Sequence, residues 1–204
     1  MNTIRFGNRK ITPSKILCVG RNYMEHIHEL SNAVPEEMVV FHKPNSSITT
    51  QLRSFHEEPL HYETEICFLI KNNRYHGVGL GLDLTKRNLQ SHLKKQGLPW
   101  ERAKAFDGSA VFSKFIALKD IDIHSLSLEL LINCVRIQHG TVTQMIYPPD
   151  TIMKSLQRYT TLEDGDIVMS GTPKGVGIVQ SGDVFLARLR SEEKTLIEIE
   201  WIAQ

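Results

Sequence analysis

Glu63 and Glu65 stand one residue apart in the run His61-Tyr62-Glu63-Thr64-Glu65-Ile66-Cys67. In an extended chain successive side chains alternate faces, so both carboxylates project to one side, which continues as Cys67 and Leu69. Such a strand begins polar and ends in the core, leaving two like charges together at the rim. Water, a proton or a cation must relieve their repulsion, and hard divalent ions such as Mg²⁺ take oxygen ligands of this kind. The plainer reading is a solvated strand face. Asp83, Arg87 and Gln90 follow with i, i+4, i+7 spacing. With Asp83 at a helix entrance, all three would share one helical face. A capping Asp followed by surface polar residues is the alternative. Lys86, Lys94 and Lys95 read as solvated helix surface.

The segment Gly171-Thr172-Pro173-Lys174-Gly175-Val176-Gly177 is glycine-rich but lacks the Gly-Lys-[Ser/Thr] ending of a phosphate loop. It reads as a loop whose backbone can approach a ligand closely. His28, His42, His56 and His139 read as surface or core residues rather than ligands, and no serine sits in a nucleophile-elbow setting.

The elements that must hold these groups are mostly extended. Strands are predicted over Lys15–Val19, Met38–His42, His61–Ile70, Leu128–Ile137, Asp166–Ser170, Val184–Leu189 and Thr195–Trp201. Helices are predicted over Asn22–Leu30, Thr85–Gln96 and Asp150–Tyr159. Asp150 reads as the cap of the last, and the second stops at Gly97 with Pro99 beyond. The pattern is α+β and β-rich. With no repeat, low-complexity tract or long linker, one catalytic domain over residues 1–204 is expected, residues 1–14 being a short N-terminal extension.

A chain of 204 residues buries a sizeable core without disulfides. Its 24 Lys+Arg against 23 Asp+Glu leave a formal charge of +1, so no global field draws it to nucleic acid or an anionic membrane. Cys18, Cys67 and Cys134 are odd in number and lie among apolar neighbours. They read as buried thiols in a reducing compartment, the cytoplasm. No stretch approaches the roughly 18 consecutive apolar residues of a spanning helix.

Three runs carry a resemblance: Gly81-Leu82-Asp83-Leu84-Thr85-Lys86-Arg87-Asn88-Leu89-Gln90, Gly97-Leu98-Pro99-Trp100-Glu101-Arg102-Ala103-Lys104-Ala105-Phe106, and Gly171 to Gly177. With Tyr62-Glu63-Thr64-Glu65 upstream, they resemble the fumarylacetoacetate hydrolase family in that family's order, from about Lys15 to Trp201. The early Gly20-Arg21-Asn22-Tyr23-Met24-Glu25-His26-Ile27-His28-Glu29 is most similar to its acylpyruvate hydrolase and oxaloacetate decarboxylase subgroup.

The resemblance implies a rolled mixed β-sheet core of the family's C-terminal-domain type, a homodimer, and one Mg²⁺ or Mn²⁺ held by Glu63, Glu65 and Asp83. It implies that Lys104 is the active-site lysine, that Arg87 and Gln90 line the pocket and that Thr172 meets the substrate's carboxylate end. It makes His26 and Glu29 a water-activating pair on a lid helix, their i, i+3 spacing placing both on one face. Thr85-Lys86-Arg87-Asn88 departs from the usual Thr-Ala-Arg-Asp, and Ala110-Val111 replaces a common Cys-Pro. The segment from Glu65 to Asp83 is shorter than is common, and a fourth carboxylate ligand has no match. The implied activity is metal-dependent hydrolysis of the C–C bond of 3-acylpyruvates through an enolate. Oxaloacetate decarboxylation and keto–enol tautomerisation are alternatives on the same site. A dicarboxylate-binding protein without turnover would need the three carboxylates but not the His26–Glu29 pair.

Overall fold

The computed structural model describes residues 1–30 and 33–204. Strand accounts for 44% and helix for 18%, so the β-rich α+β reading holds, and the sheet is mixed and curled. Its strand order is Val39–Pro44, Lys15–Gly20, Ile167–Met169, Thr64–Lys71, Arg74–Asp83, Ala110–Phe112, Ile48–Thr49. Two neighbours in that order are parallel, Lys15–Gly20 with Ile167–Met169 and Ala110–Phe112 with Ile48–Thr49; the other pairs are antiparallel. A second, antiparallel sheet runs Val135–Thr141, Leu126–Ile132, Val184–Ser191, Lys194–Ile202.

Alternation along Thr64–Lys71 divides the core in two. Ile66, Phe68 and Ile70 join Leu17, Leu80 and Leu82 in a cluster that extends into Leu128, Phe185 and Leu189 of the second sheet. Cys67 and Leu69 face the other way, among Ile16, Cys18, Phe115 and Met169. Phe68 is fully buried, so Phe68→Ala removes about 3–5 kcal/mol of transfer and packing energy. Residues 1–14 add to this second core: Ile4–Phe6 and Arg9–Ile11 pair as a hairpin, and Ile4 packs into it.

The strand absent from the sequence reading, Arg74–Asp83, positions the site. Its partner Thr64–Lys71 reaches it through Asn72 and Asn73, both at positive φ (50° and 58°), a tight hairpin that accounts for the short Glu65-to-Asp83 segment. Gly77, Gly79 and Gly81 share the face that Asp83 continues. A Cβ on Gly79 would lie 3.0 Å from the Phe115 ring, and one on Gly81 would lie 2.8 Å from Cys67 Sγ and 2.9 Å from Phe112. Bare backbone here lets the aromatic rings lie against the strand. It also gives Glu65, paired directly opposite Gly81, a neighbour with no side chain.

Several expected boundaries shift. The run His61–Ile70 is two strands, Glu58–Tyr62 and Thr64–Lys71, broken at Glu63. Leu128–Ile137 is a hairpin turning at Asn133 and Cys134, both at positive φ. The helices are α1 (Met24–Glu29), α2 (Arg87–Lys95), α3 (Glu101–Lys104) and α4 (Pro149–Leu156). Asp150 lies inside the first turn of α4, whose cap is Pro148. Cys18 and Cys67 are buried, but Cys134 is exposed at its turn, correcting the expectation of three buried thiols.

Candidate metal centre and active site

Asp83 ends its strand and is not at a helix entrance. The helical face is supplied by Arg87 and Gln90 alone, whose Nη1 and Oε1 are 2.8 Å apart. What joins Asp83 to the glutamates is the sheet: Asp83 N donates to Glu63 O at 2.8 Å, and Glu65 lies in the adjoining strand. One oxygen from each of Glu63, Glu65 and Asp83 falls within 4.8 Å of the others. All three residues are buried, at 6%, 2% and 0% exposure, so the solvated-face alternative is excluded.

Three cations, Lys104, Arg87 and Lys43, contact two of the three carboxylates, Glu63 and Asp83. Lys104, at the end of α3, donates to Glu63 Oε2 at 2.8 Å, Asp83 Oδ2 at 2.6 Å and Thr85 Oγ1 at 2.6 Å. Arg87 Nη2 donates to Glu63 Oε1. Lys43, wholly buried, stands 2.8 Å from Asp83 Oδ1 as an ion pair and donates to Lys104 O and, at 3.0 Å, to Ser109 Oγ. Glu65 has no cation of its own; its Oε2 accepts from Gly171 N at 2.6 Å. Gly171 is at φ +99°, where a Cβ would lie 2.7 Å from Asn22 Cβ, so the loop's close approach to the carboxylate requires glycine.

The electrostatics follow from this distribution. Burial, then Asp83 and Glu63, pushes the Glu65 carboxyl well above its ordinary range, with Gly171 offsetting only part. Burial would raise Glu63 too, but the charges of Lys104, Arg87 and His26 outweigh it and hold that carboxyl well below. Burial disfavours the Lys104 ammonium, yet Asp83 and Glu63 raise its pKa above the usual lysine value. A cluster with one carboxyl forced toward its neutral form is short of positive charge. Asp83 Oδ1 is also buried, faces Lys43 as an ion pair at 2.8 Å and receives no directed hydrogen bond among the described residues. Three hard oxygen donors brought together in the core, with the repulsion that remains between them, fit a small divalent cation such as Mg²⁺ or Mn²⁺.

Above the carboxylates lies a pocket lined by Arg21, His26, Arg87, Gln90, Lys94 and Lys104. It leaves room for water beside these side chains. His26 is buried on α1, its Nδ1 3.2 Å from Glu29 Oε2, while Glu29 Oε1 accepts from Gly175 N at 2.9 Å. The base of α1 is fastened by Asn22, whose Nδ2 donates to Ser170 O at 2.7 Å and Tyr147 O at 3.0 Å and whose Oδ1 accepts from Tyr147 N at 2.7 Å. Tyr23 and Ile27 are buried beneath the helix.

The structure therefore brings His26, Glu29, Glu63, Glu65, Asp83, Arg87, Gln90 and Lys104 to one site. Thr172 stands beside it: buried and next to Gly171, its Oγ1 accepts from Gln138 Nε2 at 2.9 Å, and it is not on the pocket wall. Gln138 Oε1 in turn accepts from Thr64 N at 3.2 Å, tying the Gly171 loop to the glutamate strand. Sequence reasoning missed Gln138, Lys43, Thr85 and Asn22. Lys43 did leave a signal, a charge continuing the face of Val39 and Phe41. Two surface lysines were also misplaced: Lys86 is buried and paired with Glu57, and Lys94 is half-buried over Trp100.

The profile of the fumarylacetoacetate (FAA) hydrolase C-terminal family matches residues 15–197. The oxaloacetate tautomerase YcgM of Escherichia coli is 40% identical over 188 residues, covering 83% of this chain and 85% of that protein. The mitochondrial oxaloacetate tautomerase FAHD1 of Bos taurus is 34% identical over 201 residues, covering 91% of each. Fumarylpyruvate hydrolase from Pseudomonas aeruginosa, solved with Mn²⁺ and pyruvate, superposes with a TM-score of 0.89 at 25% identity, covering 99% of this chain and 95% of that one.

Proposed function

This chain belongs to the fumarylacetoacetate hydrolase family, and from that premise we propose that it is a divalent-metal enzyme that forms enolates of short 2-keto acids, with keto–enol tautomerisation of oxaloacetate as its reaction. The observation that carries this reading is the placement of the His26–Glu29 pair over the buried Glu63–Glu65–Asp83 cluster, in one pocket with Lys104 and Arg87. The oxaloacetate tautomerases among its relatives supply the substrate.

Glu63, Glu65 and Asp83 would hold Mg²⁺ or Mn²⁺, which supplies Lewis-acid polarisation of a carbonyl oxygen. The chain's own residues do the rest. Arg87 and Gln90, locked to each other at 2.8 Å, present a fixed donor edge to the substrate's carboxylate. The Lys104 ammonium, held by Asp83 and Thr85, faces the oxygen on which negative charge develops as C3 loses its proton. Nδ1 of His26 is engaged by Glu29, so Nε2 is the nitrogen that takes the proton from C3 and returns it, with Glu29 fixing the ring and stabilising the imidazolium. Gly175 N in turn fixes Glu29.

Hydrolysis of the C–C bond of 3-acylpyruvates is a second reading, favoured by the room for water beside His26 and by the fold shared with a fumarylpyruvate hydrolase. There His26 would take its proton from water attacking the acyl carbon. Decarboxylation of oxaloacetate would use Lys104 without needing His26. The buried thiols Cys18 and Cys67 suit a reducing compartment such as the cytoplasm. Assaying Mn²⁺-loaded protein against oxaloacetate and acetylpyruvate separates these reactions. The tautomerase reading expects enol absorbance to relax without CO₂ release and a loss of ~10²–10⁴ in kcat for His26→Ala. Equal rates in wild type and His26→Ala, or acetate release as the dominant activity, would sink it.

A further inference from the structure

We propose that Lys94, seated on Trp100 at the pocket wall, receives a second carboxylate of the substrate and so selects 2-keto dicarboxylates over 2-keto monocarboxylates. This deepens the tautomerase reading and rests on it. The argument begins with the cations of the wall. Lys104 is occupied by Glu63 and Asp83, and Arg87 by Glu63. Lys94 lines the same pocket, is half-buried, and has no carboxylate partner among the described residues. Its neighbour on the helix, Lys95, is exposed and points away from the pocket lining.

What holds Lys94 in place is aromatic. Its Nζ lies 4.4 Å from the centroid of Trp100, and the Arg21 guanidinium lies 5.8 Å from the same ring. A ring face stabilises an ammonium without neutralising it, so Trp100 positions the charge and leaves its N–H donors for another group. Arg21, Arg87 and Lys104 crowd the ammonium with like charge, and only Glu63 opposes them. Clustering half-buried cations is unfavourable for the protein alone. An anion entering between them relieves that repulsion and gains charge-assisted hydrogen bonds. With Glu63 in the pocket lining and Glu65 and Asp83 clustered with it, a substrate whose reacting end is drawn to that cluster turns its far end toward the Lys94 side of the wall.

Oxaloacetate and 2-oxobutyrate decide the point, because they differ only in a terminal carboxylate against a methyl group. Binding of each to Mn²⁺-loaded protein is measured by calorimetry for wild type, Lys94→Gln and Lys94→Arg. Lys94→Gln should weaken oxaloacetate binding about tenfold, the scale of one charged hydrogen bond at a part-exposed site, and leave 2-oxobutyrate unaffected. Lys94→Arg should restore most of the preference, since it keeps the charge and the ring contact. Trp100 emission gives a second readout, changing with oxaloacetate in wild type and less in Lys94→Gln. Equal weakening of both ligands, or of neither, overturns the role of Lys94 while leaving the tautomerase reading intact. Failure of wild type to bind either ligand overturns both.

Discussion

Lys104→Met tests whether the buried cluster is held together as described. The wild-type ammonium is 2% exposed and bridges Glu63 at 2.8 Å and Asp83 at 2.6 Å, with Thr85 as its third partner. Methionine has nearly the same length and no charge, so the substitution leaves two carboxylates buried without their shared cation. Breaking a buried ion pair by removing one member costs about 3–5 kcal/mol. For a protein of this size each kcal/mol lowers Tm by roughly 2–4 °C, so metal-free Lys104→Met should melt roughly 6–20 °C below wild type. Mn²⁺ should then stabilise the variant more than wild type, because the added cation compensates charges that Lys104 no longer meets. In metal-free protein Glu63 is depressed in the folded state, so the stabilisation from its pairing is present above the unfolded carboxyl value of about 4.3 and is lost as pH falls. The gap between wild type and variant should therefore be widest near neutral pH and close in acid. Scanning calorimetry of both proteins across pH, with and without Mn²⁺, makes the measurement. A Tm within 2 °C (about 1 kcal/mol or less) of wild type, or a Mn²⁺ shift no larger than in wild type, would refute the reasoning.

Glu65→Ala should abolish Mn²⁺ binding in a direct titration, and retained affinity would remove Glu65 from the ligand set. Gly171→Ala places a Cβ 2.7 Å from Asn22 Cβ and 3.1 Å from Val19 O at φ +99°, so it should cost about 1–3 kcal/mol in urea unfolding and weaken Mn²⁺ by displacing the N–H that holds Glu65; unchanged values for both would contradict it. Burial and then Arg21, Arg87 and Lys104 bring Lys94 down to about 8, with Glu63 opposing. Its charge is present below that pH and lost above it, while Lys104, raised by Asp83 and Glu63, stays protonated. KM for oxaloacetate should thus rise above about pH 8 while the inhibition constant of 2-oxobutyrate stays flat; parallel changes would contradict the assignment. Hydrogen exchange over residues 24–30 should slow on addition of oxalate, and equal, strong protection in both states would argue against a moving α1.

The carboxylate pair was legible because period-two alternation is a local property: Glu65 shares a face with Cys67 and Leu69, and Glu63, at the break just before that strand, still brings its carboxylate beside it. Asp83 was found as a residue but set on the wrong element. The strand that carries it alternates Val78, Leu80 and Leu82 with Gly77, Gly79 and Gly81; glycines have low β-propensity and weaken the signal, and the rings of Phe6, Phe112 and Phe115 that lie against them come from distant segments. Lys94 was taken for surface because nothing local tells a solvated lysine from one resting on an indole six residues later. Gln138 was invisible for the same reason: its partners Thr64, Thr172 and Pro173 lie far off in sequence and meet it only once the two sheets are packed.

Asn22 gives α1 the mechanics of a hinged door. Its side chain is pinned at three backbone points, while the rest of the helix is held by buried Ile27, by Glu29 on Gly175 and by the exposed Glu25–Lys174 pair. The pocket that His26 shares with Glu63 and Lys104 lies directly beneath α1. A swing of the Glu29 end outward about Asn22 would carry His26 with it and leave the carboxylate cluster at rest. Such opening would break the Glu29–Gly175 and Glu25–Lys174 contacts and draw Ile27 out of its buried seat. The proton-transfer group reaches the substrate only when the door shuts, so an acid bound with the helix ajar sits on the metal side of the pocket with no base to act on it.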